Sequence, residues 1–373
     1  MRSQTPLGDA DSHIMPTRAW LASYLRRKHR SLADLAIPDW DADLHRFEEQ
    51  VAQQRARMGT RRQQLARALS GPKSLFAPGA LDPATRSEVL DALGIDAQII
   101  FSTFVAPRLS SAAWKADEIA AIVRAHNRGI ADFCARDSRL IGVGAVSFHN
   151  AAHALAEARW LRRQGLRALL VPTDAFWHMR PSDPKLEPFW HFCAQEGMLV
   201  TTHIGGGTLL PEVYHGPDAG PQVHLRPKDF AVLHHTVERF LTCIVLDGVL
   251  DRHPQLRVGV MEQGAFWLAG FMRHLDHAVQ HFRKDTKIRR LKRMPSEVIR
   301  MQVKATPFFF EDVGALIGEL DDDRMLLFST DYPHFEGGLD PVGAFRRHLA
   351  RHRLMSASGD RFFGNNLREL LMP

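Results

Sequence analysis

The run Met325-Leu326-Leu327-Phe328-Ser329-Thr330 ends in a carboxylate, Asp331, and Tyr332-Pro333-His334 follow. A buried parallel strand reads this way where it delivers a charge to an open rim. Two more stretches carry comparable side chains. Asp11-Ser12-His13 lies near the start, and Leu199-Val200-Thr201-Thr202-His203 runs on into Ile204-Gly205-Gly206-Gly207. Asp11, His13, His203 and Asp331 are four potential metal ligands, each at the end of an expected strand. Imidazole nitrogen and carboxylate oxygen together suit a divalent cation: zinc first, with manganese or iron as alternatives. Such a cation chelates a carboxylate, or brings the pKa of a bound water down to about 7. Glu262, at the end of another apolar run, is a fifth candidate.

The elements that must position these residues follow from the apolar runs. Eight candidate strands appear: one ending at Asp11–His13, then 97–101, 140–146, 168–171, 198–202, 256–261, 301–305 and 325–328. Helical patterns fill the gaps at 118–134, 152–163, 186–196, 230–250 and 266–282, two of them stopped by Gly165 and Gly197. Strand and helix in alternation mean a parallel sheet. Eight strands over 373 residues predict an α/β fold, a (β/α)8 TIM barrel, rather than an open doubly wound sheet. Residues 18–90 read as a helical insertion after the first strand that shapes the rim, within a single domain of residues 1–373. In such a barrel the carboxyl ends of all strands share one face, so side chains far apart in sequence converge there. Alternation along the first strand lets Asp11 and His13 point to the same side.

Each residue also has a plainer reading. An Asp-x-His triplet is commonly a turn or cap, a single His after an apolar strand is commonly structural, and Glu262 before Gln263-Gly264 could serve a helix N-terminus. What favours chemistry is their coincidence at the first, fifth, sixth and eighth strand ends. His178 and the adjacent His234 and His235 read as supporting or structural. Arg180 is a weaker candidate for pairing with a substrate carboxylate.

Composition narrows the classes. Apolar residues make up 45% of the chain, ample for a core, yet no run approaches the roughly 20 residues that span a bilayer. The first residues lack an apolar signal core, so a cytoplasmic protein is expected. Cys134, Cys193 and Cys243 match no zinc or redox spacing and read as buried free thiols. The formal charge of +6 is concentrated in two segments, 26–30 with Arg55, Arg57, Arg61 and Arg62, and 283–293. Neither interleaves aromatic residues, so solvated helix faces are expected rather than a nucleic-acid surface.

With these residues in view, the chain resembles the amidohydrolase-related family, best known for metal-dependent decarboxylases of aromatic or unsaturated acids, within the amidohydrolase superfamily. The resemblance rests on Asp9-Ala10-Asp11-Ser12-His13, on Asp137-Ser138-Arg139-Leu140-Ile141-Gly142 and on Ser182-Asp183-Pro184-Lys185-Leu186-Glu187-Pro188-Phe189-Trp190. It continues with Thr202-His203, Gly248-Val249-Leu250-Asp251-Arg252-His253-Pro254, Glu262-Gln263-Gly264-Ala265-Phe266-Trp267, Ser329-Thr330-Asp331-Tyr332-Pro333-His334 and Gly364-Asn365. These stretches fall within about residues 7–17 and 88–371. The resemblance implies that Asp11, His13, His203 and Asp331 hold the metal, that Asp331 also handles a proton, that His334 stands beside it, and that the chain pairs as a homodimer. Three positions depart from the family pattern: Asp11 where several decarboxylases have His or Glu, Met15 where many relatives have Glu, and Glu262 where decarboxylases carry a catalytic His.

The expected reaction is therefore metal-dependent decarboxylation of a small aromatic hydroxy-carboxylic acid, with Asp331 or Glu262 protonating the carbon. The alternative is metal-dependent hydrolysis of a lactone, an amide or a carbon–carbon bond. A further alternative is a metal-free barrel that guides a rearrangement or binds a pathway intermediate.

Overall fold

A computed structural model describes residues 7–39, 49–54, 56–103, 114–174, 179–205, 210–216 and 226–372. Its centre is a parallel sheet of seven strands in sequential order. They are β1 (Leu7–Ile14), β2 (Ile95–Ser102), β3 (Leu140–Ala145), β4 (Ala168–Leu170), β5 (Leu199–His203), β6 (Arg257–Met261) and β7 (Val303–Ala305). The strands are short apolar runs because both faces are covered. One face of the sheet packs Ala10, Ile99, Phe101, Val143, Leu199 and Met261 together. The other, including Ile100, Leu169, Val200, Val258 and Val260, packs against the helices.

The expected eighth strand, 325–328, is not a regular strand. It touches its neighbours through the isolated bridges Ala305↔Leu326 and Ser12↔Tyr332. Ala305 N donates to Met325 O and Leu327 N to Ala305 O, both at 2.9 Å, while Ala10 N donates to Phe328 O and Asp331 N to Asp11 O at 2.9 and 2.8 Å. The run thus bonds to β7 on one side and β1 on the other. Pairing with β1 resumes at Tyr332, beyond Asp331, which is left-handed with φ 49° and so departs from extended backbone.

Two other expectations need correction. The 230–250 helix is three helices, Pro227–Val232, His235–Leu246 and Val249–Arg252. Gly248 separates the last two with φ 75°, which side chains resist. Residues 301–302 end the helix Pro295–Gln302 instead of starting a strand. There Gln302 Nε2 donates to the carbonyls of His253 and Leu256, fixing the helix end against the sheet. The other helices lie close to expectation: Ala116–Cys134, Ala151–Arg163, Glu187–Gln195 and Leu268–His281. Cys134 and Cys193 are buried free thiols, but Cys243 is only half-buried.

Between β1 and β2 lie the helices Arg18–Tyr24, Leu32–Ala36, Arg61–Ala66 and Pro83–Leu93. Arg86, fully buried, docks this region on the sheet. Its guanidinium donates to Gly79 O, to Gln98 Oε1 and to His13 O. The Tyr332 hydroxyl donates to Pro78 O at 2.6 Å, so the loop before that helix sits directly over the end of the eighth run.

Candidate active site

Asp11 and His13 sit at the end of β1, His203 at the end of β5, Glu262 just after β6, and Asp331 and His334 after the eighth run. The structure brings all six together. His13 Nε2 lies 3.4 Å from Asp11 Oδ1 and 3.4 Å from Asp331 Oδ1. His203 Nε2 lies 3.4 Å from Asp11 Oδ1 and from Glu262 Oε2. Ligand atoms of Asp11, His13, His203 and Glu262 fall within 4.8 Å of one another, as do those of His13, Glu262, Asp331 and His334.

Local folding explains the convergence. Past a register shift between Asp9 and Ser12, alternation at the end of β1 turns Asp11 and His13 to one side, while the Ser12 hydroxyl donates to Ile99 O on β2. Asp9 accepts from the N–H and hydroxyl of Thr330 and from Gln98 Nε2, fastening the eighth run to β1. Burial pushes the Asp9 carboxyl up to about 6 despite those bonds. Glu262 and Asp331 are both left-handed, with φ 50° and 49°. Such backbone costs about 1 kcal/mol or more per residue and concentrates where side chains must be aimed. Here Thr306 Oγ1 accepts from Glu262 N at 2.9 Å, and Asp11 O accepts from Asp331 N.

Polar satisfaction is incomplete at the centre. Asp11 Oδ1, both His13 nitrogens, His203 Nε2 and Asp331 Oδ2 are buried without a hydrogen-bond partner. Buried polar atoms are normally paired, and five orphans in one cluster call for a missing partner. The His203 Nδ1 proton goes to Ile204 O at 3.0 Å, so Nε2 faces the cluster. The electrostatics agree. Burial and then Asp11 drive Asp331 well above the carboxylate range, and burial and then Asp331 do the same to Glu262. Burial would also raise Asp11, but His203 and His13 outweigh it and hold that carboxyl low. Burial opposes protonation of His203, yet Asp11 and Glu262 lift it to about 9. The cluster is short of positive charge. A cation among these donors meets both the orphaned atoms and the crowded carboxylates.

The remaining candidates sort plainly. His334 Nδ1 bonds Asp331 Oδ1 at 2.9 Å and its Nε2 bonds Thr103 Oγ1 at 2.8 Å. Glu262 does not serve the helix N-terminus. Glu311 does, accepting from the N–H groups of Ala265, Phe266 and Phe308. Arg180 pairs with Asp247 at 3.9 Å in another cleft. His234 and His235 lie on the outer helices, and His178 lies outside the described residues.

Lys73 was missed by sequence reasoning. Its Nζ donates to Gly338 O at 2.9 Å. The neighbouring Gly337 is pressed so close to Thr330 O and Asp331 Cβ that no side chain fits. Lys73 is therefore a buried ammonium in the wall behind Asp331. Burial lowers its pKa, and Asp331 and Glu336 pull the other way. A lysine in an irregular loop gives no periodic signal. Thr103, one residue beyond β2, was missed as well.

A parallel α/β sheet that gathers imidazoles and carboxylates at the carboxyl ends of its strands has the architecture of an enzyme. The chain belongs to the amidohydrolase family, whose model matches residues 9–371, and is an enzyme. No curated protein matches it in sequence. Among solved structures it is similar to an amidohydrolase from Mycobacterium avium subsp. paratuberculosis K-10, with 18% identity, a TM-score of 0.73, and coverage of 99% of this chain and 100% of that one. It is also similar to 5-carboxyvanillate decarboxylase from Novosphingobium aromaticivorans DSM 12444, complexed with manganese and 4-hydroxy-3-methoxy-5-nitrobenzoic acid. That match has 18% identity, a TM-score of 0.66, and coverage of 100% and 99%. A third is the dihydroxybenzoic acid decarboxylase from Polaromonas sp. JS666 with manganese and the inhibitor 2-nitroresorcinol, at 16% identity, a TM-score of 0.64, and coverage of 99% and 97%. At these identities the likeness is one of fold. Among the described residues no helix is long and apolar enough to cross a membrane.

Proposed function

We propose that this chain is a metal-dependent decarboxylase of a small aromatic hydroxy-carboxylic acid. Asp11, His13, His203 and Asp331 hold one divalent cation, zinc first, with manganese or iron as alternatives. They do so at the mouth of a single eight-stranded (β/α)8 barrel domain, residues 1–373, whose helical insertion, 18–90, shapes the rim. The observation that carries this reading is the set of orphaned buried atoms converging from β1, β5 and the eighth run. The bonds of residues 325–331 to both β7 and β1 support closure of the barrel. The decarboxylases of like fold, two of them with manganese, support the reaction and the substrate class.

When bound, the cation supplies positive charge to a substrate carboxylate and a neighbouring oxygen. The protein's own groups do the rest. Asp331 gives a proton to the carbon that bears the carboxylate. The carbon–carbon bond then breaks, carbon dioxide leaves, and the bonding electrons return to the ring. His334, tied to Asp331 Oδ1 and Thr103, orients that acid and returns a proton to it. Glu262, beside His203, is the second acid in the cluster.

Hydrolysis of a lactone, an amide or a carbon–carbon bond is the second reading. It is favoured by Glu262, a carboxylate where the resemblance led us to expect a histidine. Turnover of candidate hydroxybenzoates, and of candidate aryl lactones and amides, in ¹⁸O-labelled water separates the two. Decarboxylation gives one carbon dioxide per product and no label in the aromatic product. Label in the product without carbon dioxide overturns the first reading. Asp331→Asn lowers kcat by about 10²-fold to 10⁴-fold while circular dichroism stays native; an unchanged kcat removes Asp331 from the proton step.

A further inference from the structure

The helices His235–Leu246 and Leu268–His281 border an outer groove of about 870 Å³. His235, Glu238 and Cys243 line one side, and Trp267 and His274 the other. Its floor is open at Gly270, where an added Cβ would meet nothing within 4 Å. At the start of the first helix stand His234, His235 and Glu238. One ligand atom of each lies within 4.8 Å of the others, yet no hydrogen bond or ion pair joins the three side chains. Glu238 follows His234 by four residues and His235 by three, the spacings that share a helix face. His234 Nδ1 is buried without a partner. Its ring is fixed by aromatic neighbours instead, Phe266 at 4.9 Å edge-on and Trp267 at 6.3 Å in parallel.

We propose that His234, His235 and Glu238 form a second divalent-metal site, separate from the cluster at the strand ends, with zinc as the matching ion. Two imidazole nitrogens and one carboxylate oxygen form a borderline donor set that zinc accepts in tetrahedral geometry, leaving one position for water or for His274 of the facing helix. Burial pushes the Glu238 carboxyl up, while His235 on the same helix and His274 on the facing helix pull against it. Thr236 Oγ1 accepts from Gln263 Nε2, next to Glu262. An ion here would pin the start of the helix that backs the sixth strand end.

The test counts zinc. Chelator-stripped protein is titrated with Zn²⁺ by calorimetry, the bound metal is counted after gel filtration, and Co²⁺ absorption reports the coordination geometry. The wild type takes two equivalents, and His235→Ala with Glu238→Gln takes one. Should the pair of substitutions disturb folding, Glu238→Gln alone is measured, with loss of the tetrahedral Co²⁺ signature of one site as the readout. A variant that binds as much zinc as the wild type overturns the proposal. A wild type with one equivalent that the double variant loses keeps this site and discards the metal reading of the strand-end cluster.

Discussion

His203 commits its Nδ1 to the Ile204 carbonyl and aims Nε2 between Asp11 and Glu262. His203→Ala therefore removes the proposed ligand and the Nδ1 bond to Ile204 O, and leaves the backbone pairing of β5 with β6 in place. The purified variant keeps its fold and loses stoichiometric metal at the cluster together with turnover; full metal content and activity would show that the nitrogen holds nothing. At this scale the sequence was informative wherever a residue ended an apolar run. His203, Glu262 and Asp331 announced themselves by a charge or imidazole after an apolar run, Asp11 and His13 by an Asp-x-His triplet at the end of a weak first strand, and all five meet. Lys73 and Thr103 did not. Lys73 reaches the wall through a loop without periodicity and a contact to Gly338, far along the chain. Asp9 was quoted only as part of a motif, because nothing local reveals its bonds to Thr330.

Elements carry their own tests. His126, wholly buried on the helix Ala116–Cys134, has its pKa pushed down to about 4 by burial, against the hydrogen bond its Nδ1 donates to Asn127 Oδ1, which raises it. The folded chain keeps this ring neutral, whereas the unfolded chain protonates it below about 6.5. The unfolded state thus binds more protons between those values, so stability falls as pH drops from about 6.5 to about 4, by roughly 3 kcal/mol in all. Denaturant midpoints at pH 7 and pH 4.5 should diverge more for the wild type than for His126→Gln; equal divergence contradicts the assignment. Glu311 holds three backbone N–H groups beside the sixth and seventh strand ends. Glu311→Ala is expected to cost about 2 kcal/mol in urea unfolding, and no loss would mean the N–H groups find other partners. Helix positions were legible from apolar spacing, but their breaks were not. The turn at Gly248 and the run-on of Pro295–Gln302 through residues 301–302 depend on tertiary bonds such as those of Gln302.

Across the whole molecule, alternation of strand and helix made the parallel sheet readable, because covered strands must be continuously apolar. What it did not reveal is that the eighth run pairs by single bridges, with Asp331 left-handed between them. Large exposed side chains, among them Val213, Tyr214, Phe310, Phe335 and Leu339, leave apolar surface that association would cover. Light scattering is expected to give about 84 kDa, twice the 42.1 kDa chain; a monomer mass at micromolar concentration contradicts the homodimer. The central claim is that side chains from β1, β5 and the eighth run surround one cation. Crystals grown with Mn²⁺ and measured at the manganese absorption edge test it most directly. The account predicts an anomalous peak in bonding contact with Asp11, His13, His203 and Asp331. Full occupancy elsewhere, with these four side chains free of metal, would contradict it.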